Sequence, residues 1–575
     1  MKSKIVLLFL LILAFWLRVH NLDKRAPFTD EKFTLLNANG FWVGAFNQTE
    51  ITEKKYFTAS DFWNDKGIHD YFEAIAHSDF GTHIIYNSFL HPWMKVFGNQ
   101  DFTIRFPSVI FNLLTIVLVF FLVKRVFKSE KTALFSSFLL VIEPLNIAQS
   151  HIARSYTLSF LFVVLATYLF IYLVETDKPK RIYFVFYTLI VALSLLNHYL
   201  NFLVPLAHGL TFIFLRKNLK TWISFIFAGV FNILLMVWWF NWGGGHTSFE
   251  FLKDKNHKHL LIAQNQSNTL ASSIQISTPE IVAKKGLELF FDSSALSHGL
   301  FKDLNGVKNF LISGCAFILL LGFYYLYKRR FFKWAMLPFA LFLTILIFFN
   351  TIALAILVSI FLYFIIYFTF TFVFHNEKFL MCQKALASIS LIMFFIPIVF
   401  VVFDALRNGH TTSLTHRYIG ISSPFVAILG GIGIARLFKE FNFAPLFLII
   451  IVPFQYVSIS KELMQFFDDK STKYAWFDPA RVQNPYLQLA ENVKKNYVEG
   501  DTLLIPSGFK DLYELTFGVK NRVSYNDAQY LNLYLPKKSK IIQRIEPNEM
   551  NKVFLVSKDG TKKIIFDFEG SKYRY

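Results

Sequence analysis

Residues 5–36 read IVLLFLLILAFWLRVHNLDKRAPFTDEKFTLL, an apolar run followed, about ten residues beyond its end, by the adjacent carboxylates Asp30 and Glu31. Because two N-terminal lysines precede the run, the pattern predicts a membrane span near 5–19 that begins in the cytoplasm. No small-residue cleavage site follows it, so we interpret it as an anchor and not as a cleaved signal peptide. The acidic pair is therefore predicted just outside a membrane.

The composition is that of a chain dissolved mainly in lipid. Of its 575 residues, 54% are hydrophobic and 18% are aromatic, and 71 are phenylalanine, which indicates a polytopic membrane protein. The net charge of +19 does not indicate nucleic acid binding, because the basic residues form short bunches between apolar runs. Only two cysteines occur, Cys315 and Cys382, so no disulfide framework is implied.

Apolar runs predict about thirteen transmembrane helices, at roughly 20 apolar residues for each span. They lie near 5–19, 103–123, 132–149, 156–174, 182–197, 200–215, 222–242, 308–327, 334–349, 352–374, 385–403, 418–437 and 443–459. Alternate connections are rich in Lys and Arg, and the positive-inside rule assigns these to the cytoplasm. The N-terminus is then cytoplasmic and the C-terminal part extracytoplasmic. The run 83–98 is predicted as a helix on the outer surface, because another span there would place the basic connections outside.

This topology leaves long outer segments at about 20–102, at about 243–306, and from 460 onward. The last of these alternates helical periodicity, as in YLQLAENVKKNY and KDLYELTFG, with strand-like runs such as DTLLIPS and KKIIFDF. We therefore predict a transmembrane module over 1–459 and a small extracytoplasmic α/β domain over 460–575, which is within the usual domain size.

Four short motifs occur in order along the chain. The first outer segment contains WLRVHNLDKRAPFTDEKFTL, and the surface helix leads into the second span through HPWMKVFGNQDFTIRFPSV. The third span is followed by EPLNIAQSHIARSYTL, and a late span opens with RYIGISSPF. Together they resemble the C-type (GT-C) glycosyltransferases, in particular the bacterial branch related to protein O-mannosyltransferases and to the lipid A aminoarabinose transferase.

The resemblance implies a polytopic α-helical membrane protein of the GT-C fold with a small C-terminal α/β domain. It also implies an activity: transfer of a hexose or pentose from a polyprenyl-phosphate donor to an acceptor hydroxyl on the outer side of the bacterial cytoplasmic (inner) membrane. Two departures limit what is carried over. Ile84 and Ile85 replace a Pro-Pro pair of the family's surface helix, and Ile152 replaces an acid before Ala-Arg-x-Tyr. The sugar specificity of any relative is therefore not transferred to this chain.

Sugar transfer from a phosphate needs a base for the acceptor hydroxyl and cations for the leaving phosphate. Position and family match assign the base to Asp30. Its ordinary pKa of about 3.9 is low for this task, so we expect partial burial or the adjacent Glu31 to raise that pKa. Glu31 is predicted to orient the loop or to support a metal.

Arginine matches two phosphate oxygens through its rigid fork and does not lose its charge. Arg417 and Arg154 stand on short outer connections and are the predicted phosphate ligands, although snorkelling to lipid headgroups would also place arginines there. Tyr156 and Tyr418 are candidates for a lipid groove, or for an interfacial aromatic belt. Arg18 and Arg105 are interpreted as structural.

Some relatives hold a divalent metal near the phosphate through an acid before the surface helix and a histidine after the seventh span. The corresponding candidates here are Asp79 or His83, with His246, His257 or His259. The alternative is that these loop histidines are simply solvated. No other cofactor is expected.

The expected partners are the bilayer, a polyprenyl-phosphate-linked sugar, and an acceptor that is a lipid, a glycan or a protein. Two other functions remain open at this point. A flippase or transporter for a lipid-linked sugar would also have many spans, but such proteins tend to show repeats and broken mid-membrane helices, which we do not find in the sequence. A glycan ligase or polymerase would share the lipid donor.

Overall fold

The computed structural model is predominantly helical and ends in a small sheet. It describes residues 2–176, 178–215, 219–265, 274–328, 351–374, 380–440, 444–468, 474, 483–506, 522–546 and 551–569. The span predicted near 334–349 and the helix predicted at 510–518 lie outside these residues.

The helices of the first 300 residues include both membrane helices and the helices of the outer segments. They are α1 (Lys2–Val19), α2 (Thr29–Asn37), α3 (Thr49–Thr52), α4 (Ala59–Phe62), α5 (Ile68–Asp79), α6 (Ile84–Phe97), α7 (Asp101–Phe127), α8 (Glu130–Ile142), α9 (Pro144–Ser150), α10 (Tyr156–Glu175), α11 (Arg181–Asn197), α12 (Leu203–Ile213), α13 (Leu219–Trp242), α14 (Ser248–Gln264) and α15 (Pro279–Asp292).

The remaining helices complete the membrane part and cover the sheet. They are α16 (Leu300–Asp303), α17 (Val307–Lys328), α18 (Thr351–Phe374), α19 (Met381–Asn408), α20 (His416–Ile419), α21 (Ser423–Glu440), α22 (Ala444–Phe467), α23 (Pro485–Asn496) and α24 (Arg522–Asn532).

Seven helices in the described part of the chain are long and apolar enough to cross a membrane, and the number is eight if the bent pair α8 and α9 counts as one span. These coincide with eight of the predicted spans. The predicted spans near 5–19, 182–197, 200–215 and 443–459 coincide with α1, α11, α12 and α22. The membrane character and the helical fold class predicted from the sequence are confirmed.

The bend between α8 and α9 has a local cause. Glu143 precedes Pro144 and is extended, with ψ of 114°, because a residue before proline is disfavoured in the helical region. The two helices meet at 61°. The break leaves carbonyls at the end of α8 without helical partners, and the buried Arg18 donates to Leu140 O and Val141 O, each at 3.1 Å. Arg18 is therefore structural, as predicted.

The run predicted to lie on the surface forms α6, a helix of 14 residues. It is too short to cross a bilayer, which needs about 20 residues. His83 caps its start with a positive φ of 71°, so the chain turns sharply there between Asp79 and the helix. This turn places Asp79 and His83 close to the start of α2.

The tail forms a four-stranded mixed sheet of β1 (Thr502–Pro506), β2 (Ile542–Glu546), β3 (Lys552–Val556) and β4 (Lys562–Asp567). The strand order is β2-β1-β3-β4. The central β1 pairs in parallel with β2 and antiparallel with β3, and β3 pairs antiparallel with β4. The parallel pair is joined through α24, as such a pair needs a crossover connection. The predicted α/β character of the tail is confirmed.

The sheet is packed on the first outer segment. Phe57 and Gln543 exchange backbone hydrogen bonds of 3.0 and 2.7 Å, and the side chain of Gln529 in α24 bonds Gly44 N at 3.0 Å and Trp42 O at 2.9 Å. One buried apolar cluster joins residues of both parts. The C-terminal domain thus packs against the segment that carries the acidic pair.

Candidate active site

The acidic pair lies in the first turn of α2. Phe28 is the N-cap, and its N–H donates to Glu31 Oε2 at 3.0 Å. Carboxylates are favoured in a first turn because the backbone N–H groups there have no helical partners. Consecutive side chains on a helix point about 100° apart, at 3.6 residues per turn. Asp30 and Glu31 therefore face different surroundings although they are neighbours in sequence.

Glu31 faces the interior of the protein and is fully buried. Its carboxylate accepts two hydrogen bonds from Arg105 of α7, at 2.8 and 3.0 Å, and one from Ala153 N at 2.8 Å. Arg105 also donates to Leu22 O and Arg25 O. These contacts tie the start of α2 to α7 and to the segment before α10. These contacts agree with a loop-orienting role for Glu31, which stays a prediction, and with the structural role predicted for Arg105.

Asp30 faces Arg417. Arg417 Nη1 donates to Asp30 Oδ2 at 2.8 Å, and the two side chains are 11% and 22% exposed. Arg417 lies in α20, at the entry to α21, and its guanidinium is 5.0 Å from the ring of Tyr418. The neighbouring His416 is held by Asp292 at the end of α15, with Nε2 to Oδ2 at 2.8 Å. A late span is thus brought to the first outer segment.

Arg154 connects Asp79 to α2. Its guanidinium donates to both oxygens of Asp79, at 2.8 and 3.0 Å. It also bonds Asp30 O at 3.0 Å and Thr34 Oγ1 at 2.9 Å, and it contacts His83 Nε2 at 2.9 Å. Both predicted arginines therefore lie beside Asp30, one at its carboxylate and one at its backbone carbonyl.

The charges around Asp30 overturn one expectation. Burial raises the pKa of the Asp30 carboxyl. The nearby charges of Arg154, Arg417 and Lys255 together lower it by more than burial raises it, so the pKa lies below its ordinary value. The adjacent Glu31 is paired with Arg105. The expected increase in the pKa of Asp30 is therefore wrong for the protein without donor.

Burial also shifts the pKa values of Asp79, His83 and His198 in the site. Burial raises the pKa of Asp79 despite the opposing charge of Arg154. Burial and the charge of Arg154 lower the pKa of His83 well below its ordinary value, and burial lowers the pKa of His198 to about 3. Both imidazoles are neutral at physiological pH. The positive charge of the site therefore comes from arginine and lysine.

The two tyrosines predicted to line a lipid groove are at the same place. Tyr156 begins α10 and is buried, with its ring 6.5 Å from that of His83. Tyr418 lies next to Arg417, whose Nη2 donates to the Tyr418 hydroxyl at 3.3 Å. Their positions agree with a groove at the site, which remains a prediction.

The predicted metal ligands are not brought together. Asp79 is occupied by Arg154, His83 contacts Arg154 and Ser155, and His257 is exposed on α14. Within the described ranges, one group of three side chains has its ligand atoms within 4.8 Å of one another, and its members are Glu73, His77 and His246. His246 was among the sequence candidates, but Glu73 and His77 were not.

Two further residues near Asp30 were not found from the sequence. Lys255 of α14 lowers the pKa of Asp30 by its charge, and His198 has its ring 5.5 Å from that of His83. Lys255 stands in a polar run with no distinguishing pattern. His198 lies in a predicted outer connection of two residues. Its position in so short a connection is the sequence feature that could have identified it.

Comparison with known proteins agrees with the resemblance stated from the motifs. Residues 84–242 match the family model described as dolichyl-phosphate-mannose-protein mannosyltransferase. This match confirms the resemblance over the segment that holds α6, α7 and Arg154. No curated protein sequence matches the chain.

Two solved proteins are similar in structure, and both are C-type glycosyltransferases. The oligosaccharyltransferase of Archaeoglobus fulgidus is 13% identical, with 94% of this chain and 58% of that chain covered and a TM-score of 0.44. ArnT from Cupriavidus metallidurans in the apo state is 12% identical, with 92% and 85% covered and a TM-score of 0.36. The chain thus spans less than two thirds of the length of the oligosaccharyltransferase.

Proposed function

We propose that the chain transfers a hexose or pentose from a polyprenyl-phosphate donor to an acceptor hydroxyl on the outer side of a bacterial cytoplasmic membrane. The observation that carries the proposal is the 2.8 Å contact of Arg417 with Asp30, because it unites the guanidinium and the carboxylate that this chemistry needs. The match of residues 84–242 to the mannosyltransferase model supports a lipid-phosphate sugar as donor.

In the proposed step the acceptor oxygen forms a bond to the anomeric carbon of the sugar, and the bond between that carbon and the phosphate oxygen breaks. Asp30 accepts the proton of the acceptor hydroxyl as a general base. The electron pair of the broken bond stays on the phosphate, which leaves as polyprenyl phosphate. Arg417 holds that phosphate, because its two parallel N–H donors match two phosphate oxygens.

The contact between Asp30 and Arg417 gives the arginine a second task. Without donor, the cations around Asp30 keep its pKa low and make it a weak base. The donor phosphate competes for Arg417, and a carboxylate that loses a neighbouring cation becomes more basic. Donor binding therefore strengthens the base when the leaving group is in place.

Arg154 is proposed to act on the same phosphate mainly through its charge. Its two Nη groups are engaged by Asp79, Thr34 and the Asp30 carbonyl, so it holds the Asp79 turn against α2. A positive charge fixed in a partly buried site stabilises a leaving phosphate without rearranging. Tyr156 and Tyr418 flank the two arginines and are proposed to line the entry of the polyprenyl chain.

No step of the proposal uses a metal at the phosphate. Asp79, the acid that would hold such an ion, accepts a hydrogen bond from Arg154 on each of its two oxygens, and His83 has its Nε2 against the same guanidinium. These residues do not fit a metal in this arrangement. The two arginines and Lys255 supply the positive charge instead.

The acceptor is left at the level of a hydroxyl group, on a lipid, a glycan or a protein. A flippase or transporter would move the intact lipid-linked sugar, and a glycan ligase or polymerase would need an oligosaccharide on the lipid. The chemical difference is that the proposed enzyme releases polyprenyl phosphate from a lipid-linked monosaccharide.

The test uses the purified full chain in vesicles that contain a radiolabelled polyprenyl-phosphate monosaccharide, with extracted envelope lipids, glycans and proteins as acceptors. We expect wild-type protein to release polyprenyl phosphate, and Asp30→Asn to lower the rate by about 10²–10⁴, the contribution of a well-placed base. Asp23→Asn is the matched control, because Asp23 is an exposed acid of the same outer segment, and it should behave as wild type. Release at a wild-type rate by Asp30→Asn would remove Asp30 as the base.

A further inference from the structure

The surface helix α6 has one apolar face that the described part of the protein leaves exposed. Phe89, Pro92 and Val96 are three or four residues apart, which places them on the same face. All three are exposed, and Val96 has an exposed fraction of 74%. Leu90 and Met94, on the other side of the helix, are buried. Contiguous exposed apolar residues indicate contact with another surface.

This face continues onto the first turns of a membrane helix. Trp93 Nε1 of α6 donates to Thr103 O at 2.9 Å, and the Trp93 ring is 6.5 Å from the ring of Phe106. Phe102 stacks on Phe106 with 5.5 Å between ring centroids. These residues begin α7, which is long and apolar enough to cross a membrane. The exposed face of α6 therefore lies level with one end of a span, where aromatic side chains are enriched at the membrane interface.

A loop of the C-terminal domain lies beside the end of α6. Its sequence is PKKSK, residues 536–540, between α24 and β2. Asn99 Nδ2, just after α6, donates to Leu533 O at 3.1 Å. Lys537 Nζ lies 4.0 Å from the centre of the Trp63 ring, and Trp63 Nε1 donates to Asn532 O at 3.1 Å. These contacts hold the 536–540 loop on the first outer segment, next to α6.

The helix and the loop bring four lysines to one place. They are exposed, and they are Lys95 of α6 with Lys537, Lys538 and Lys540 of the loop. Partial burial and the charge of Lys95 lower the pKa of Lys537, so the two charges are close enough to repel each other. None of the four forms an ion pair with any residue that the structure describes. Like charges held together without a counter-ion favour an anionic partner.

We propose that α6 and the 536–540 loop bind anionic phospholipid of the outer leaflet, such as phosphatidylglycerol. Phe89, Pro92 and Val96 enter the boundary between headgroups and acyl chains, and the lysines contact the headgroup phosphates. An apolar helix face beside lysines is typical of a helix in the membrane interface, whose binding strengthens with anionic lipid. A protein partner would have to displace lipid from the end of α7, so the position favours the bilayer.

The lipid contact attaches the C-terminal domain to the membrane surface. The loop leads directly into β2, whose Gln543 pairs with Phe57 of the first outer segment. Anionic lipid therefore steadies the domain on the segment that carries Asp30. Lipid binding is independent of the proposed transfer, whereas an effect of lipid on the transfer rate rests on it.

The test measures which lipid touches α6 in nanodiscs that contain the full chain. A bimane label is attached to Val96→Cys in a Cys315→Ser background, in which the remaining Cys382 is buried. Brominated lipid quenches the label on contact. Brominated phosphatidylglycerol should quench it several-fold more than the same fraction of brominated phosphatidylcholine, and added salt should reduce the difference, because salt screens exposed charges. Lys95→Gln and Lys537→Gln should each lower the preference by up to roughly five-fold, the contribution of one lysine at an anionic bilayer.

Lys558→Gln is the matched control, because it removes an exposed lysine of the same domain in the turn between β3 and β4. It should leave the preference unchanged. Equal quenching by the two lipids, absence of quenching by either, or an equal loss of preference in Lys558→Gln and Lys537→Gln would each overturn the proposal. An Asp30→Asn protein that keeps the lipid preference but loses transfer separates this surface from the reaction centre.

Discussion

Arg417 donates a 2.8 Å hydrogen bond to Asp30 across 387 positions of sequence. Both side chains are largely buried, so Arg417 is directed at a carboxylate and not at the lipid headgroups. This contact favours a role at the site over lipid anchoring, and it links the proposed base to the proposed ligand of the leaving phosphate.

Substitution of Arg417 separates phosphate binding from lipid anchoring. Arg417→Lys keeps the charge but loses the bidentate fork, so it should retain part of the transfer rate, and Arg417→Ala should retain very little. Rates measured against donor concentration should show a changed KM or kcat in both. Arg407→Ala, at an exposed arginine at the end of α19, is the control and should leave donor kinetics unchanged. Unaltered donor kinetics in Arg417→Ala would reject the role.

The pH dependence follows from the lowered pKa of Asp30. A carboxylate with a lowered pKa stays ionised as the pH falls, and its ion pair is lost only when the pH passes below that pKa. The pH dependence of kcat/KM reports the pKa values of the free enzyme. On the acidic side, kcat/KM should therefore fall only at a pH below about 3.9, the ordinary pKa of aspartate. In Arg417→Ala this fall should move to higher pH, because burial persists and one cation is gone. A wild-type fall above the ordinary value contradicts this account.

Glu31→Gln tests the structural role of Glu31. The change leaves Arg105 charged and buried without its counter-ion, and breaking such a pair costs about 3–5 kcal/mol. The midpoint of thermal unfolding should fall clearly, whereas Asp30→Asn should lower it little. Glu175→Gln removes the carboxylate of an exposed Glu–Arg pair at 2.9 Å, and such surface pairs contribute about 0–1 kcal/mol. Equal losses in Glu31→Gln and Glu175→Gln would contradict the assignment.

Topology is testable by labelling single engineered thiols in intact cells. In a Cys315→Ser background, thiols at Ser60, Gln275 and Asp559 should react with an impermeant reagent, because all three positions are exposed and are predicted outside. A thiol at Lys128, which lies in a basic connection, should react only after lysis. Protection of position 559 in intact cells would show that the predicted number of spans is wrong.

The sequence was sufficient to predict the membrane helices that the structure describes. It was not sufficient to predict which side chains contact one another. Apolar runs and basic connections predicted the membrane helices, and the positions of the basic connections distinguished the run 83–98, which forms α6, from a span. Different roles were predicted for Asp30 and Glu31, but the sequence did not show that Glu31 faces Arg105 and that Asp30 faces Arg417. Sequence also gave no sign that Arg154 would occupy Asp79, since that contact joins residues 75 positions apart.

The expected rise in the pKa of Asp30 failed for a related reason. Burial does raise it, as the apolar surroundings suggested, but the number of cations that fold around the carboxylate decides the sign. Lys255 and Arg417 reach Asp30 from α14 and α20, which no short motif connects. The sequence likewise did not indicate that Glu73 and His77 lie beside the candidate His246, because they come from distant parts of the chain; metal binding stays a prediction.

The first outer segment and its cover are far apart in the chain. Phe57 pairs with Gln543, so the segment that carries Asp30 gains this strand partner only after all the residues between them have been synthesised. Until then its apolar side chains stand unprotected at the membrane surface, where long-range pairing is slow and exposed strands aggregate. A chain truncated before Gln543 lacks this partner, so we expect its first outer segment to be less stably folded than in the full chain.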